Sequence, residues 1–288
     1  DIGCHSFATA APFNLGNTIM GYGLSLASSS GMRHALPHKA ISIMGDGGFW
    51  HNGLTSGVTS AVFNEHDGLL IVIDNGYSAA TGGQDIPSLV EPNLIATTLD
   101  SSQPKRDSWQ TIEDACRGAG VKWIRTVSTY NIVAMKETLR SALTTDAPGL
   151  KVVVAEGECM LNRQRRVKPL IRQAVSEGQR VKRARFYIDP ETCTGDHGCI
   201  RLSGCPSLTI RENPDPLRSD PVSYVDNSCV GCGVCGTNAH SAVLCPSFSR
   251  VELVDNPSAW DRLLNATRVR VREWWRIRDR KRMAQRQF

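Results

Sequence analysis

The sequence predicts an α/β protein, with a parallel, doubly wound α/β domain over residues 1–160 followed by a small α+β module rich in cysteine. Three observations predict it. Short apolar runs ending in turn residues alternate with helix-patterned stretches through the first 160 residues. Seven of the ten cysteines crowd between Cys193 and Cys245. A chain of 288 residues exceeds one typical domain and suits one α/β domain plus a smaller module.

Along the chain, Asn14 to Ser30 (NLGNTIMGYGLSLASSS) is small and apolar, the composition of a helix packed closely against backbone or ligand, with glycines permitting the approach. KAISIMGD reads as a buried parallel strand ending in a Gly-Asp-Gly turn, HNGLTSGVTSAVFN as a helix and GLLIVIDN as the next strand, which together make a βαβ unit. Residues 108–118, VKWIRTVS, NIVAMKETLRSAL and LKVVVAEGE continue the alternation. Residues 161–185 form a basic linker, partly helical, since Arg163 to Arg185 holds nine Lys/Arg against one Glu and contains Pro169. The cysteine module occupies residues 186–250. Residues 251–288 then form a basic helical segment whose apolar members are Trp260, Leu263, Leu264, Trp274, Trp275 and Ile277.

With 41% hydrophobic and 21% charged residues and no apolar run near the roughly 20 residues of a membrane span, the expectation is a soluble, cytoplasmic protein without a membrane span. The chain starts at Asp1 inside motif-like sequence, so it is expected to be part of a longer polypeptide. Residues 260–288 carry ten Lys/Arg and three Asp/Glu, about +7 against +5 for the whole chain, so the basicity is local. That helix suits an acidic protein, an anionic surface or simply solvent. Nucleic acid is disfavoured as a partner because no recognition motif accompanies the arginines.

Gly45-Asp46-Gly47, then twenty-seven residues, then Asn75 places an aspartate and an asparagine at the carboxyl ends of two neighbouring parallel strands, where open α/β sheets bind ligands. Magnesium prefers such hard oxygen ligands together with phosphate oxygens. Asp46 and the Asn75 amide oxygen supply two, and the Tyr77 carbonyl a third. Gly45, Gly47 and Gly48 let a diphosphate approach the backbone at the start of a helix whose amide dipoles favour an anion. Read without a ligand, Asp46 and Asn75 are merely turn residues. The strand, the spacing and IDNGYS together resemble the pyrophosphate half of the thiamine diphosphate (TPP) site of thiamine enzymes.

Two-cluster ferredoxins space their ligands as C-x2-C-x2-C-x3-C-P twice, with the last cysteine of each run ligating the other cluster. Here the second run is Cys229, Cys232, Cys235 and, after a longer gap, Cys245-Pro246; the first is Cys193, Asp196, Cys199 and then Cys205-Pro206, with Asp196 where a cysteine belongs. The crossed pattern assigns Cys205, Cys229, Cys232 and Cys235 to one 4Fe-4S cluster. Cys193, Cys199 and Cys245 then hold a second, 4Fe-4S with Asp196 as fourth ligand or 3Fe-4S without one, and His197 is an alternative ligand. Structural zinc is the competing reading of these cysteines. Outside the module, Cys4 is a candidate to line the TPP site, whereas Cys116 and Cys159 read as small buried hydrophobes.

DIGCH, NTIMGYGLSLA, IDNGYSAATGGQ and CTGDHGCIRLSGCPSLT resemble, in the same order, segments of the indolepyruvate ferredoxin oxidoreductases in their long fused bacterial form, a 2-oxoacid:ferredoxin oxidoreductase family. The resemblance implies that the second module is ferredoxin-like and that Gly3, Cys4, His5 and His51 belong to the TPP site, with Thr81 and Gln84 as weaker candidates. Read from their residue types, Trp50, Phe49 and Phe63 are candidates for an aromatic pocket, with core packing beside a buried strand as the competing reading. It further implies oxidative decarboxylation of a 2-oxoacid, an aryl pyruvate such as indolepyruvate being favoured, with electrons passed to ferredoxin and the acyl group to coenzyme A. Pyruvate or 2-oxoglutarate as substrate, and an electron-transfer subunit with a non-catalytic TPP fold, are the alternatives. Thiamine enzymes also need a glutamate from a pyrimidine-binding domain, which is expected upstream or on another chain of an oligomer.

Overall fold

In a computed structural model, the described residues are all but 11–12, 17, 33–34, 36, 89–109, 237–244 and 285–288. The chain forms two compact units, Asp1–Cys159 and Met160–Phe288.

The described residues of the first unit form a four-stranded parallel sheet of β1 (Ile41–Gly45), β2 (Leu69–Asp74), β3 (Trp123–Ser128) and β4 (Lys151–Glu156), in the order β1-β2-β4-β3. β2 and β4 are the inner strands, and their continuous apolar runs fit burial on both faces. Leu70, Val72, Val152 and Val154 point to one side and pack with Val58, Ala61, Ile112 and Cys116. Leu69 and Val153 point to the other and pack with Met135, Leu139 and Ala142. Helices α4 (Ile112–Gly118) and α5 (Ile132–Thr144) therefore cover opposite faces of a three-layer α/β domain, as the sequence predicts. Both begin at side-chain caps: Thr111 Oγ1 accepts from the Asp114 amide at 3.0 Å and Asn131 Oδ1 from the Ala134 amide at 3.1 Å.

Two elements differ from expectation. Among the described residues from Asn14 to Ser30 the helical ones are those of α1 (Ser25–Gly31). The residues before it turn too often, with positive φ at Asn14, Gly16, Gly21 and Gly23. At Gly23 a Cβ atom would lie 2.6 Å from the Gly48 carbonyl oxygen, so this segment is pressed against the Gly-Asp-Gly turn. The helix after that turn is also wider than a plain α-helix. α2 (Asp46–Gly48) runs into a π-helical stretch, Phe49–Val58, and then into α3 (Thr59–Phe63). π segments are rare in helices and are frequent beside functional sites.

In the second unit the expected linker is regular structure. α6 (Met160–Ser176) carries Pro169 within it, and β5 (Val181–Ile188) pairs antiparallel with β8 (Phe248–Asp255). Along β5 Val181, Arg183, Ala184, Arg185 and Phe186 are half-buried and Ile188 is buried, a strand that the run of charges concealed in the sequence. A second antiparallel pair, β6 (Leu208–Arg211) and β7 (Val222–Val225), and the short helix α7 (Gly198–Ser203) complete a small α+β arrangement. Its core combines Ile188, Leu208, Val222 and Val225 with Cys193, Cys199, Cys229 and Cys235. The basic C-terminal segment is one helix, α8 (Ala259–Ala284), with Trp260, Trp274 and Trp275 all exposed. Among the described residues no helix is long and apolar enough to cross a membrane.

Candidate functional site

The register of β1 on β2 sets Gly45 opposite Ile73, so both strands end at the same level and hand Asp46, Asp74 and Asn75 to one place. Asp46 is 2% exposed. Its Oδ1 accepts from the Gly47 amide at 2.7 Å, and its Oδ2 from the amides of Asn75 and Gly76, each at 2.8 Å. Three amides thus hold the carboxylate rigidly. Burial nevertheless pushes its pKa up, these amides only partly offsetting the effect. Asp74 beside it is pushed up to about 7, first by burial and then by the Asp46 charge. Two buried carboxyl groups in contact hold less than two full charges until a cation joins them.

Asn75 Oδ1 and His5 Nε2 are buried and have no hydrogen-bond partner among the described residues. A buried amide oxygen left unpaired is costly, and a metal ion satisfies it. Asn75, Asp46 and His5 line one cavity with Gly3, Cys4 and the turn Gly45–Gly48. The cradle is tight at Gly47, where a Cβ atom would lie 2.6 Å from Ser78 Oγ. An orphaned oxygen, a buried carboxylate and amide-rich glycines at the start of a helix fit Mg2+ and a diphosphate.

His5 is kept neutral, because burial lowers its pKa to about 4. Of the other candidates, His51 and Tyr77 are not among the cavity-lining residues; His51 is exposed, its ring centroid 5.2 Å from that of Tyr22, which does line the cavity. Thr81 and Gln84 shape the loop: Thr81 Oγ1 is 2.7 Å from Ser78 Oγ, and the Gln84 carbonyl accepts from the Ser78 amide at 2.8 Å. The aromatic candidates lie elsewhere, with Phe49 in the core, Trp50 donating to Ser88 Oγ at 2.8 Å and Phe63 86% exposed. Sequence reasoning missed Tyr22, whose hydroxyl lies 2.7 Å from Ser78 Oγ, and Asp74. Tyr22 falls within the segment read as a continuous helix, which hid its direction; Asp74 stands next to Asn75 and was legible as the strand's last residue.

In the second unit the cysteines separate into two sets. Cys205, Cys229, Cys232 and Cys235 line one cavity, closed on one side by Met160, whose Sδ is 3.6 Å from Cys232 Sγ, and by Gln164. Cys199 instead has Cys245 and Cys193 as its charge neighbours. The backbone shows the same crossing. The Asp189 amide, ahead of Cys193, donates to the Ser247 carbonyl beyond Cys245, and the Asp226 amide, ahead of Cys229, donates to the Ser207 carbonyl beyond Cys205, both at 2.9 Å. Burial raises the thiol pKa of Cys199 and Cys205 and pushes that of Cys235 up to about 12. Among the described residues no three His, Cys, Asp or Glu side chains converge as ligands of a single metal ion. Four thiols around one cavity fit a body with several iron atoms, ligated from its outside. Asp196 is exposed and its Oδ1 accepts from the Gly198 amide at 3.3 Å, while His197 Nδ1 is 3.1 Å from Ser223 Oγ. Cys116 is a buried core residue whose pKa is pushed up to about 12 by burial, and Cys159 is half-buried.

Residues 1–154 match the family model of the thiamine pyrophosphate enzymes, C-terminal TPP binding domain. Over 238 residues, 82% of this chain, the sequence is 29% identical to the indolepyruvate oxidoreductase subunit IorA of Methanothermobacter thermautotrophicus, of which it covers 32%. The subunit of the same name from Archaeoglobus fulgidus is 30% identical over 249 residues, 86% of this chain and 34% of that one. The chain therefore spans about a third of the length of these curated relatives. A solved 2-oxoglutarate:ferredoxin oxidoreductase from Magnetococcus marinus superposes on 48% of this chain and 46% of its own at 18% identity and a TM-score of 0.38.

Proposed function

The chain belongs to the thiamine pyrophosphate enzymes by their C-terminal TPP-binding domain, and from that premise we propose that it is the diphosphate-binding and electron-carrying part of a 2-oxoacid:ferredoxin oxidoreductase. The observation that carries the proposal is one chain holding both the Asp46–Asn75 cradle and two crossed sets of cysteines. The order of these parts is supported by the match to indolepyruvate oxidoreductase subunits over more than four-fifths of the chain.

In this reading Asp46 and Asn75 Oδ1 hold Mg2+, the Tyr77 carbonyl being a third donor, and the amides of Gly45 to Gly48 receive the diphosphate. TPP, when bound, supplies the electron sink that lets a 2-oxoacid lose carbon dioxide. His5, neutral and with Nε2 unpartnered in the cavity, accepts or returns a proton at that nitrogen. His51 acts at the rim, through Tyr22. Cys205, Cys229, Cys232 and Cys235 hold a 4Fe-4S cluster in a ferredoxin-like module. Cys193, Cys199 and Cys245 hold the second cluster; the exposure of Asp196 favours a ligand that exchanges with solvent. The acceptors are ferredoxin for the electrons and coenzyme A for the acyl group, and an aryl pyruvate is the favoured substrate. A pyrimidine-binding domain with its activating glutamate lies outside this sequence.

The test is reduction of ferredoxin or a viologen by the assembled complex, coenzyme A present, across a panel of aryl pyruvates, pyruvate and 2-oxoglutarate. Rapid reduction with indolepyruvate supports the proposal. Reduction only with the small acids moves the substrate assignment, and no 2-oxoacid-dependent reduction by a TPP-loaded complex sinks it.

A further inference from the structure

We propose that the hydroxyl groups of Ser223 and Ser247 donate hydrogen bonds to the sulfurs of Cys199 and Cys245 and raise the reduction potential of the centre those cysteines hold. The proposal rests on the iron-sulfur reading above and assigns to two serines a role that the cysteine spacing does not suggest.

The two halves of the cysteine module give the comparison that carries it. Each contains Cys-Pro-Ser, at 205–207 and 245–247. The two serine carbonyls are used alike, each accepting from the amide of the aspartate ahead of the opposite run. Their hydroxyls part company. Ser207 Oγ accepts from Gln164 Nε2 and lies 2.7 Å from Ser228 Oγ, whose own partner is Asp226. Ser247 Oγ instead lies 3.0 Å from Cys245 Sγ. On β7, Ser223 Oγ is 3.3 Å from Cys199 Sγ. Both serines are buried, 3% and 2% exposed, so water does not replace these contacts.

A ligating thiolate has no proton and is an acceptor only. Once Cys199 and Cys245 ligate, the hydrogen between each oxygen and sulfur is necessarily the hydroxyl's. Ser223 then accepts from His197 Nδ1, which places a hydrogen on that nitrogen and orients the hydroxyl toward sulfur. Adding one electron to a cluster makes its sulfurs more negative. A donor on sulfur therefore stabilises the reduced form more than the oxidised one, and the potential rises. Among the described residues the serine hydroxyls that meet a cysteine sulfur are those at Cys199 and Cys245, while Ser203 Oγ accepts from the backbone amide of Cys205 and leaves its sulfur alone, so the effect belongs to one centre.

The experiment is an EPR-monitored redox titration, with dithionite as one-electron reductant, of the full chain purified anaerobically with its clusters, comparing wild type with Ser223→Ala, Ser247→Ala and Ser247→Thr. Each alanine variant is expected to weaken reduction of one cluster signal about tenfold, ~59 mV lower for a one-electron couple. The other signal stays in place, and Ser247→Thr, which keeps the hydroxyl, restores the wild-type midpoint. Iron content equal to wild type with both midpoints unmoved, or both midpoints moving together, overturns the proposal while leaving the clusters standing. Zinc without iron would overturn the iron-sulfur reading and the proposal with it.

Discussion

The first unit closes over Leu26, Met44, Phe49, Leu70, Val72 and Val152, apolar side chains that need no ligand to pack. In the second unit, among the described residues, four of the eight buried members of the core cluster are cysteines. The two sites are therefore built on different foundations. Asp46 and Asn75 stand at the ends of strands held by an independent core, whereas Cys193, Cys199, Cys229 and Cys235 are themselves half of the core they stand in. On the proposed reading a cofactor would therefore be a guest in the first unit and a structural member in the second.

Removing the metal gives the largest expected separation. Anaerobic treatment with an iron chelator should unfold the second unit and leave the first folded, read as loss of one of two calorimetric transitions and as proteolysis confined to residues beyond Cys159. Unfolding of both units together would break the comparison. At the other site Asp46→Ala should weaken Mg2+-dependent TPP binding by about 100-fold, ~3 kcal/mol, in a calorimetric titration. The first unit should stay folded with a loss of about 1–3 kcal/mol, because the amides of Gly47, Asn75 and Gly76 lose their acceptor while the apolar core is untouched.

A smaller effect isolates the first unit's scaffold. Lys151 is fully buried at the start of β4 and is paired with Asp67, itself about half exposed; Lys39 joins the pair at 3.4 Å. Asp67→Ala leaves the ammonium buried without that partner and should cost the first unit about 2 kcal/mol, discounted for the exposure of Asp67. Urea unfolding followed by Trp50 and Trp123 fluorescence measures it, and TPP affinity in the folded fraction should stay as it was.

The pH response reads the carboxyl pair without a substitution. The Asp74 carboxyl has its pKa raised from the ordinary 3.8 to about 7, so the folded state holds a proton that the unfolded chain releases. Stability of the metal-free first unit should then fall as pH rises from about 4 to about 7. Mg2+ should flatten that slope, because a cation between the carboxylates favours their charged forms. A slope of opposite sign in the metal-free protein would contradict the buried carboxyl pair.

Much of the first unit was legible because its signals are local. Apolar runs gave β1, β2 and β4, and the Gly-Asp-Gly turn gave Asp46 its place. What escaped was set by tertiary contact. The small apolar stretch before α1 reads as helix by composition, yet contact of Gly23 with the Gly48 carbonyl selects an irregular path that also brings Tyr22 to the cavity. Likewise, β5 was hidden because Lys182, Arg183 and Arg185 read as linker charges. They are ladder positions, in which Lys182 pairs with Glu252 at 2.9 Å and Arg183 with Asp255 at 3.1 Å. Cysteine spacing gave the crossed sets, but spacing says nothing about Met160, Gln164, Ser223 and Ser247, which reach the cysteines through the fold.

The most direct test of the account is quantification of iron, acid-labile sulfide and thiamine in the anaerobically purified complex, with EPR before and after adding a 2-oxoacid. The account predicts bound TPP, about seven or eight iron atoms per chain and cluster signals that grow when the 2-oxoacid is added. Zinc in place of iron, or iron without TPP in the intact complex, would contradict it.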